Sequence, residues 1–285
     1  MSSNDQHRAK GEPVTIRTLR RMARAGEPFA CLTCYDATTA RILESAGVHV
    51  LLVGDTAAEM ILGYDSTIHM PLEVAIALTA GVKRGAPGAF VMGDMPFMSY
   101  QASADDAVRN AGRFLTEGLA DIVKLEGDAS FAPLVKRMTR SGIPVCGHVG
   151  CRPQSVKLSG GYQSTGRTAE TARTIVEDAE ALAEAGCTML LVEAVPGEIA
   201  DRIMERTPGI PLIGIGAGSS CHGQILVLQD LLGLTHWQPG FATPVASMGQ
   251  EIERAARVWI ERVSRRGVTD HRYEMKAGES DKLRA

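Results

Sequence analysis

Six residues of this 285-residue chain carry side chains suited to acid–base or metal chemistry and stand at or near the ends of apolar runs. Asp55 closes VHVLLVGD, Asp94 closes GAFVMGD, Lys124 and Glu126 lie in LADIVKLEGD, His148 closes IPVCGH, and Glu193 closes CTMLLVE. One acidic residue at a strand end is ordinarily a helix cap or a loop acceptor. Four carboxylates from four strands, brought to one place, repel one another unless a cation or a proton neutralises them. Hard oxygen donors, without His-x-x-x-His or matched cysteine pairs, point to Mg²⁺ or a similar cation rather than zinc. Lys124 and Glu126 are two apart, so on a strand they share a face. One can then serve a metal while the other meets the anionic end of a substrate. His148 shares its face with Cys146, and Cys151 is near. A soft-metal site from those three stands as the alternative to a hydrogen-bonding role for His148. Cys31 and Cys34 form C-x-x-C, but inside the apolar run FACLTCYD they read as small buried hydrophobes.

The elements that must position these residues repeat along the chain. Four times a glycine (Gly47, Gly118, Gly142, Gly186) ends a helical stretch and precedes a short apolar run closed by a polar residue. FACLTCYD, GAFVMGD, IPLIGIG and QILVLQD are runs of the same kind, which makes about eight. Between them lie helical stretches: PLEVAIALTAGVKRG with Pro71 at its first position, AVRNAGRFLTE behind the S-x-x-D of Ser103 and Asp106, TAETARTIVEDAEALAEAG from Thr168, and one opening at Pro196. Near-continuous apolar strands alternating with helices predict parallel strands covered on both sides. Eight units at this length predict a single-domain α/β fold, the (β/α)8 TIM barrel, with a doubly wound open sheet as the alternative. Such barrels gather their active site at the C-terminal ends of the strands, where all six residues fall. The expected organisation is a flexible N-terminus over 1–12, a catalytic barrel over 13–266 and a mixed-charge tail over 267–285. The stretch 150–167, rich in Gly and Ser, has the length of a lid or a mobile loop. No Walker loop is present, and Gly214-Ile215-Gly216-Ala217-Gly218 comes too late and lacks a third glycine at the spacing a dinucleotide fingerprint needs.

Composition narrows the function classes. Thirty Lys and Arg against 33 Asp and Glu leave a net charge of −3, without the basic excess of a nucleic-acid binder. At 45 % hydrophobic residues there is ample material for a core, which excludes disorder as the dominant state. No apolar run approaches the roughly 18 residues of a membrane span. The opening MSSNDQHRAKGEP lacks the apolar stretch of a signal peptide, and the six cysteines are dispersed. The expected location is therefore the cytoplasm, with reduced thiols. Together these features describe a barrel enzyme that uses a divalent cation and carboxylates on a small, oxygen-rich anion. Spacing alone does not choose the reaction.

The segments LTCYDATTA, LLVGDTAAEMILGYDST, VKRGAPGAFVMGDMPFMSY, VKLEGD, IPVCGHVGCRPQS, GGYQSTGR, LLVEAVP, IGIGAG and HGQILVLQDLLG run in order between residues 29 and 234. In them the chain closely resembles the ketopantoate hydroxymethyltransferase family of the phosphoenolpyruvate/pyruvate barrel superfamily. The resemblance implies that Asp55, Asp94 and Glu126 are Mg²⁺ ligands. It implies that Asp55, Thr56, Asp94 and Lys124 hold a 2-oxo acid, and that Glu193 is the catalytic base. The implied reaction moves a hydroxymethyl group from 5,10-methylenetetrahydrofolate to 3-methyl-2-oxobutanoate, giving 2-dehydropantoate for pantothenate biosynthesis. It also implies a homo-oligomer, commonly a decamer.

Four features depart from the family pattern: Thr56 in place of the usual Ser, the segment AAEM with Glu59, His222 before Gly223-Gln224, and THWQPGFATPVASM after Leu234. They bear on which 2-oxo acid is preferred and on the donor site. Three other readings therefore stand beside the first: a paralogue acting on another 2-oxo acid, a superfamily lyase or phosphonomutase, and a non-catalytic binding protein. The lyase reading wants a cysteine-bearing loop and the phosphonomutase reading an arginine set for phosphate. The non-catalytic reading leaves the acidic cluster without a chemical reason.

Overall fold

The computed structural model of the chain describes residues 12–268 and 273–283. The expected flexible segment 1–12 lies, save for Glu12, outside the described residues, as do parts of the tail. The first half runs α1 (Ile16–Ala25), β1 (Phe29–Thr33), α2 (Ala37–Ser45), β2 (Val50–Val53), α3 (Ala57–Met60), α4 (Leu72–Gly85), β3 (Phe90–Asp94), α5 (Ala104–Thr116) and β4 (Ile122–Glu126). It continues with α6 (Ala132–Arg140), β5 (Val145–Gly150), α7 (Val156–Ser159), α8 (Ala169–Glu184), β6 (Met189–Glu193), α9 (Gly197–Arg206), β7 (Leu212–Ile215) and β8 (Gly223–Leu226). Beyond the sheet lie α10 (Leu228–Leu231), α11 (Met248–Ser264) and α12 (Glu279–Lys282). The eight strands are all parallel and close on themselves in sequence order, β8 pairing with β1. The open-sheet alternative is thereby excluded.

Strand periodicity splits the apolar residues into two cores. Val50 and Leu52, Phe90 and Met92, Ile122, Cys146, Met189 and Leu191 point inward and fill the barrel, which Leu19 and Met22 of α1 close from below. Their neighbours Leu51, Val53, Val91, Val123, Leu125, Val145, Leu190 and Val192 point outward under the helices. Four of the inward rows end in polar residues: Met92 is followed two residues on by Asp94, Ile122 by Lys124 and Glu126, Cys146 by His148, and Leu191 by Glu193. The barrel is thus apolar through its floor and middle and ionisable at its top.

Helix termini follow the signals in the chain. Ser103 caps α5, its hydroxyl accepting from the Asp106 N–H, and Thr168 caps α8 in a reciprocal arrangement with Thr171. Pro71 precedes α4 as its cap rather than occupying the first helical position, and its φ of −73° suits that extended entry. The stretch 150–167 is more ordered than a plain loop, containing a 3-10 turn at Pro153–Ser155 and the single turn α7. No helix among the described residues is long and apolar enough to cross a membrane.

Candidate active site

Strand register assembles the mouth. Asp94 on β3 pairs with Lys124 on β4, Glu126 with His148 on β5, and Gly150 with Glu193 on β6. Asp55 lies two residues past β2, on the turn that leads into α3. Asp55, Asp94, Lys124, Glu126 and His148 are all buried, while the Glu193 side chain keeps 21 % of its surface exposed at the rim. The structure therefore brings all six residues together, as the sequence led us to expect.

Lys124 Nζ lies 2.8 Å from Asp94 Oδ1. Asp94 Oδ2 accepts the backbone N–H of Asp55 at 3.0 Å, which ties the β2 turn to β3. Three buried carboxylates (Asp55, Asp94, Glu126) face one buried ammonium, so with all four ionised the cluster has an excess of two negative charges. That excess shows in the acidities. Burial, and then repulsion from Asp94, pushes Asp55 up to about 8. Burial drives Glu126 well above the usual carboxylate range, against the pull of Lys124 and with a further push from Asp55. Burial works against the charge on Lys124, yet Asp94, Asp55 and Glu126 together raise its pKa and hold it protonated.

These residues fit a divalent cation. Two positive charges would cancel the excess, and Glu126 Oε1 is buried without a hydrogen-bond partner. Among the described residues no three His, Cys, Asp or Glu side chains enclose an ion by themselves. An open arrangement of carboxylates completed by water and substrate oxygens is how Mg²⁺ is ordinarily held, through few protein ligands.

His148 joins the cluster to the rim. Its Nδ1 is 3.4 Å from Lys124 Nζ, and its Nε2 is 3.3 Å from Glu193 Oε2. An ammonium only donates, so Nδ1 must be the acceptor, and the ring proton is assigned to Nε2, facing Glu193. Burial and the Lys124 charge lower the His148 pKa and favour this neutral form. Cys146 and Cys151 are buried thiols raised by burial, Cys151 to about 11, and among the described residues they and His148 form no group that could hold an ion.

The structure adds Gln154, to which sequence reasoning gave no role. Its side-chain Nε2 donates to Asp55 Oδ2 at 3.0 Å and to the Met95 carbonyl at 2.9 Å. Its backbone N–H donates to Glu126 Oε2 at 2.9 Å, and its Oε1 accepts from the Tyr100 hydroxyl at 2.7 Å. One residue on a 3-10 turn thereby orients two of the three carboxylates. The signal available was the Pro-Gln-Ser after His148, within a stretch that has no period to read.

The departures from the family pattern separate by location. Thr56 lies at the mouth, its hydroxyl 2.7 Å from that of Tyr35, and Glu59 on α3 is 3.4 Å from the Tyr162 hydroxyl. His222 lies at the opposite end, just before β8, where its Nδ1 accepts from the Leu212 N–H at the start of β7. The expectation that His222 bears on substrate or donor choice is corrected by this position. A side chain at the floor of a barrel supports the fold rather than the site.

Comparisons with known proteins identify the family and the fold. A family model described as ketopantoate hydroxymethyltransferase matches residues 13–268. A 3-methyl-2-oxobutanoate hydroxymethyltransferase from Anaeromyxobacter sp. (strain Fw109-5) is 46 % identical over 262 residues, 90 % of this chain and 86 % of the relative. One from Syntrophus aciditrophicus (strain SB) is 45 % identical over 256 residues, 90 % of this chain and 94 % of the relative. Among solved structures, a phosphonopyruvate hydrolase complexed with oxalate and Mg²⁺ superposes with a TM-score of 0.60 at 13 % identity, over 94 % of this chain and 96 % of that one. A 2,3-dimethylmalate lyase of the PEP mutase/isocitrate lyase superfamily gives 0.57 at 17 % identity, over 95 % and 93 %. The two structural likenesses speak to the fold.

Proposed function

The chain belongs to the ketopantoate hydroxymethyltransferase family, and from that premise we propose how its residues transfer a hydroxymethyl group to 3-methyl-2-oxobutanoate. The observation that carries the reading is the buried cluster of Asp55, Asp94 and Glu126 around Lys124, with Glu193 at its rim. Asp55, Asp94 and Glu126 would hold a divalent cation, with Mg²⁺ suited to their oxygen donors. When bound it supplies Lewis-acid stabilisation of negative charge on the substrate's oxygens.

Lys124 adds a fixed positive charge beside those oxygens, where a dry site makes it count for more than in water. Asp55, Thr56, Asp94 and Lys124 hold the 2-oxo acid, and His148 completes the polar wall beneath it. Glu193 removes the C3 proton. The resulting carbon nucleophile takes the methylene carbon of 5,10-methylenetetrahydrofolate. With one water supplying the hydroxyl, the methylene becomes CH2OH, both folate nitrogens regain a hydrogen, and 2-dehydropantoate and tetrahydrofolate leave.

Residues 13–266 form the catalytic unit in this reading, with 267–285 as an appendage, working in the cytoplasm as a homo-oligomer of the family's decameric kind. The family's activity is preferred over that of a lyase or phosphonomutase because the relatives at 45 % identity carry the hydroxymethyltransferase name. The test is proton NMR of 3-methyl-2-oxobutanoate in D₂O with Mg²⁺. The parent protein should exchange the C3 proton, and Glu193→Gln should bind the acid yet lose that exchange. Full exchange in the variant would remove Glu193 from the role of base.

A further inference from the structure

The mouth of the barrel is ionisable over only part of its circumference. From β3 to β6 the inward rows end in Asp94, Lys124 with Glu126, His148 and Glu193. On β7 the inward residue Ile213 is followed two positions on by Ile215, which packs against the barrel core and stays half-buried where the strand ends. The row beside Glu193 thus ends in a branched alkyl group.

Register fixes how close that group is. Glu193 pairs with Ile215 across β6 and β7, and neighbouring strands stand roughly 4.8 Å apart, so the two side chains rise side by side on one face. On its other flank Glu193 pairs with Gly150, which offers no side chain, and its Oε2 lies 3.3 Å from His148 Nε2 instead. Just beyond Ile215 the chain turns at Gly216, where φ is 58° and a Cβ would stand 2.6 Å from the Phe241 ring. That ring packs directly on the backbone beside Ile215 and holds the end of β7 in place. The base therefore has a polar flank toward β5 and a fixed apolar flank toward β7.

A branched 2-oxo acid is divided in the same sense. Its carboxylate and oxo oxygens suit the side of Lys124, which His148 joins to Glu193. Its C3 carbon must come within hydrogen-bond reach of the base, roughly 2.6–3.2 Å. With the oxygens turned toward Lys124, the groups on C3 fall on the opposite flank, where Ile215 stands. We propose that Ile215 is the specificity-determining residue for the C3 substituents, its side chain receiving the methyl groups of 3-methyl-2-oxobutanoate. The proposal rests on the hydroxymethyl-transfer reading above and names the side chain within it that selects a branched acid over a shorter one. A single methylene against an apolar wall changes such a preference about tenfold or more.

The experiment measures affinity by calorimetry, with Mg²⁺ present, for 3-methyl-2-oxobutanoate, 2-oxobutanoate and pyruvate, whose C3 carries two, one and no methyl groups. C3 proton exchange is followed alongside by NMR. In Ile215→Ala the preference for 3-methyl-2-oxobutanoate over pyruvate should fall about tenfold or more, while pyruvate binds as it does to the parent. Ile215→Val, which lacks only the terminal methyl, should fall between alanine and the parent. The preference is a ratio within one variant, so misfolded protein does not move it, and neither would a merely structural role for Ile215. A preference in Ile215→Ala within about twofold of the parent's overturns the proposal, as does a Val variant equal to the parent where the alanine variant fails to fold. A parent that shows the preference, lost in Ile215→Ala, but exchanges no C3 proton keeps Ile215 in its role and overturns Glu193 as the base. A parent that exchanges the proton while alanine leaves the preference unmoved keeps the base and overturns the role of Ile215.

Discussion

At the residue scale the site is a problem of compensating buried charge, and Gln154 is where that compensation is organised. Leucine at 154 would leave Asp55 Oδ2 and the Met95 carbonyl without their shared donor. Unpaired buried groups cost about 1–3 kcal/mol each. We expect Gln154→Leu to lower the urea midpoint by a cost in that range and to weaken Mg²⁺ binding, both read from unfolding curves with and without the ion. A midpoint equal to the parent's would show that water replaces the amide at no cost.

Asp55 sets a pH dependence whose sign can be worked out. Its folded pKa, about 8, lies above its unfolded value near 3.9. The folded metal-free protein therefore holds a proton that the unfolded chain has lost, and stability falls as pH rises through that window. A cation needs the deprotonated carboxylate, so the rise in melting temperature on adding Mg²⁺ should be larger at pH 8 than at pH 6. An equal rise at both would mean that Asp55 is already ionised at pH 6.

At the scale of elements, close packing turns on a few residues without side chains. Gly85 ends α4 where a Cβ would stand 2.3 Å from the carbonyl oxygen of Ala37 at the start of α2, a backbone atom that cannot rotate away. Gly85→Ala should cost about 1–3 kcal/mol of stability by forcing the two helices apart. Thermal unfolding checks this, and an unchanged transition would show that the α2–α4 contact gives way freely.

This scale also shows what the chain makes legible. Buried parallel strands are near-continuous apolar runs, so VLLV, FVMGD, IVKLE and MLLVE can be found, along with the residues that end them. Because strand side chains alternate, the two-residue spacing of Lys124 and Glu126 is enough to assign them one face. Gln154 could not be found, since its partners lie 28 and 99 positions earlier in the chain and meet it only across the closed mouth. His222 misleads for a related reason. The seven residues between β7 and β8 begin at the mouth and end at the floor, and no helix in between marks in the sequence where the chain returns.

For the whole molecule, α11 is the element a single copy leaves unexplained. Ile252, Val258, Trp259, Ile260 and Val263 are all exposed, and no residue of this 17-residue helix is buried. A helix with an apolar stripe is stabilised chiefly by burying it. In the homo-oligomer proposed above, α11 is the face with most to gain from a second copy of the chain. Trp259→Glu should therefore lower the assembly's mass in light scattering, leaving the barrel folded by circular dichroism. An unchanged mass would place the interface elsewhere.

The register of the mouth also bears on how the enzyme comes into being. Asp94, Glu126, His148 and Glu193 are contributed by β3 through β6, each paired with a neighbouring strand, and Asp55, just past β2, is tied to Asp94. No single hairpin, helix pair or half-barrel contains the set, so an emerging chain has no reactive fragment. Until β6 has paired, the growing polypeptide has neither Glu193, the base proposed above, in place nor a complete ring of ionisable groups at its mouth. Chemistry on the 2-oxo acid therefore begins only after most of the ring has been laid down.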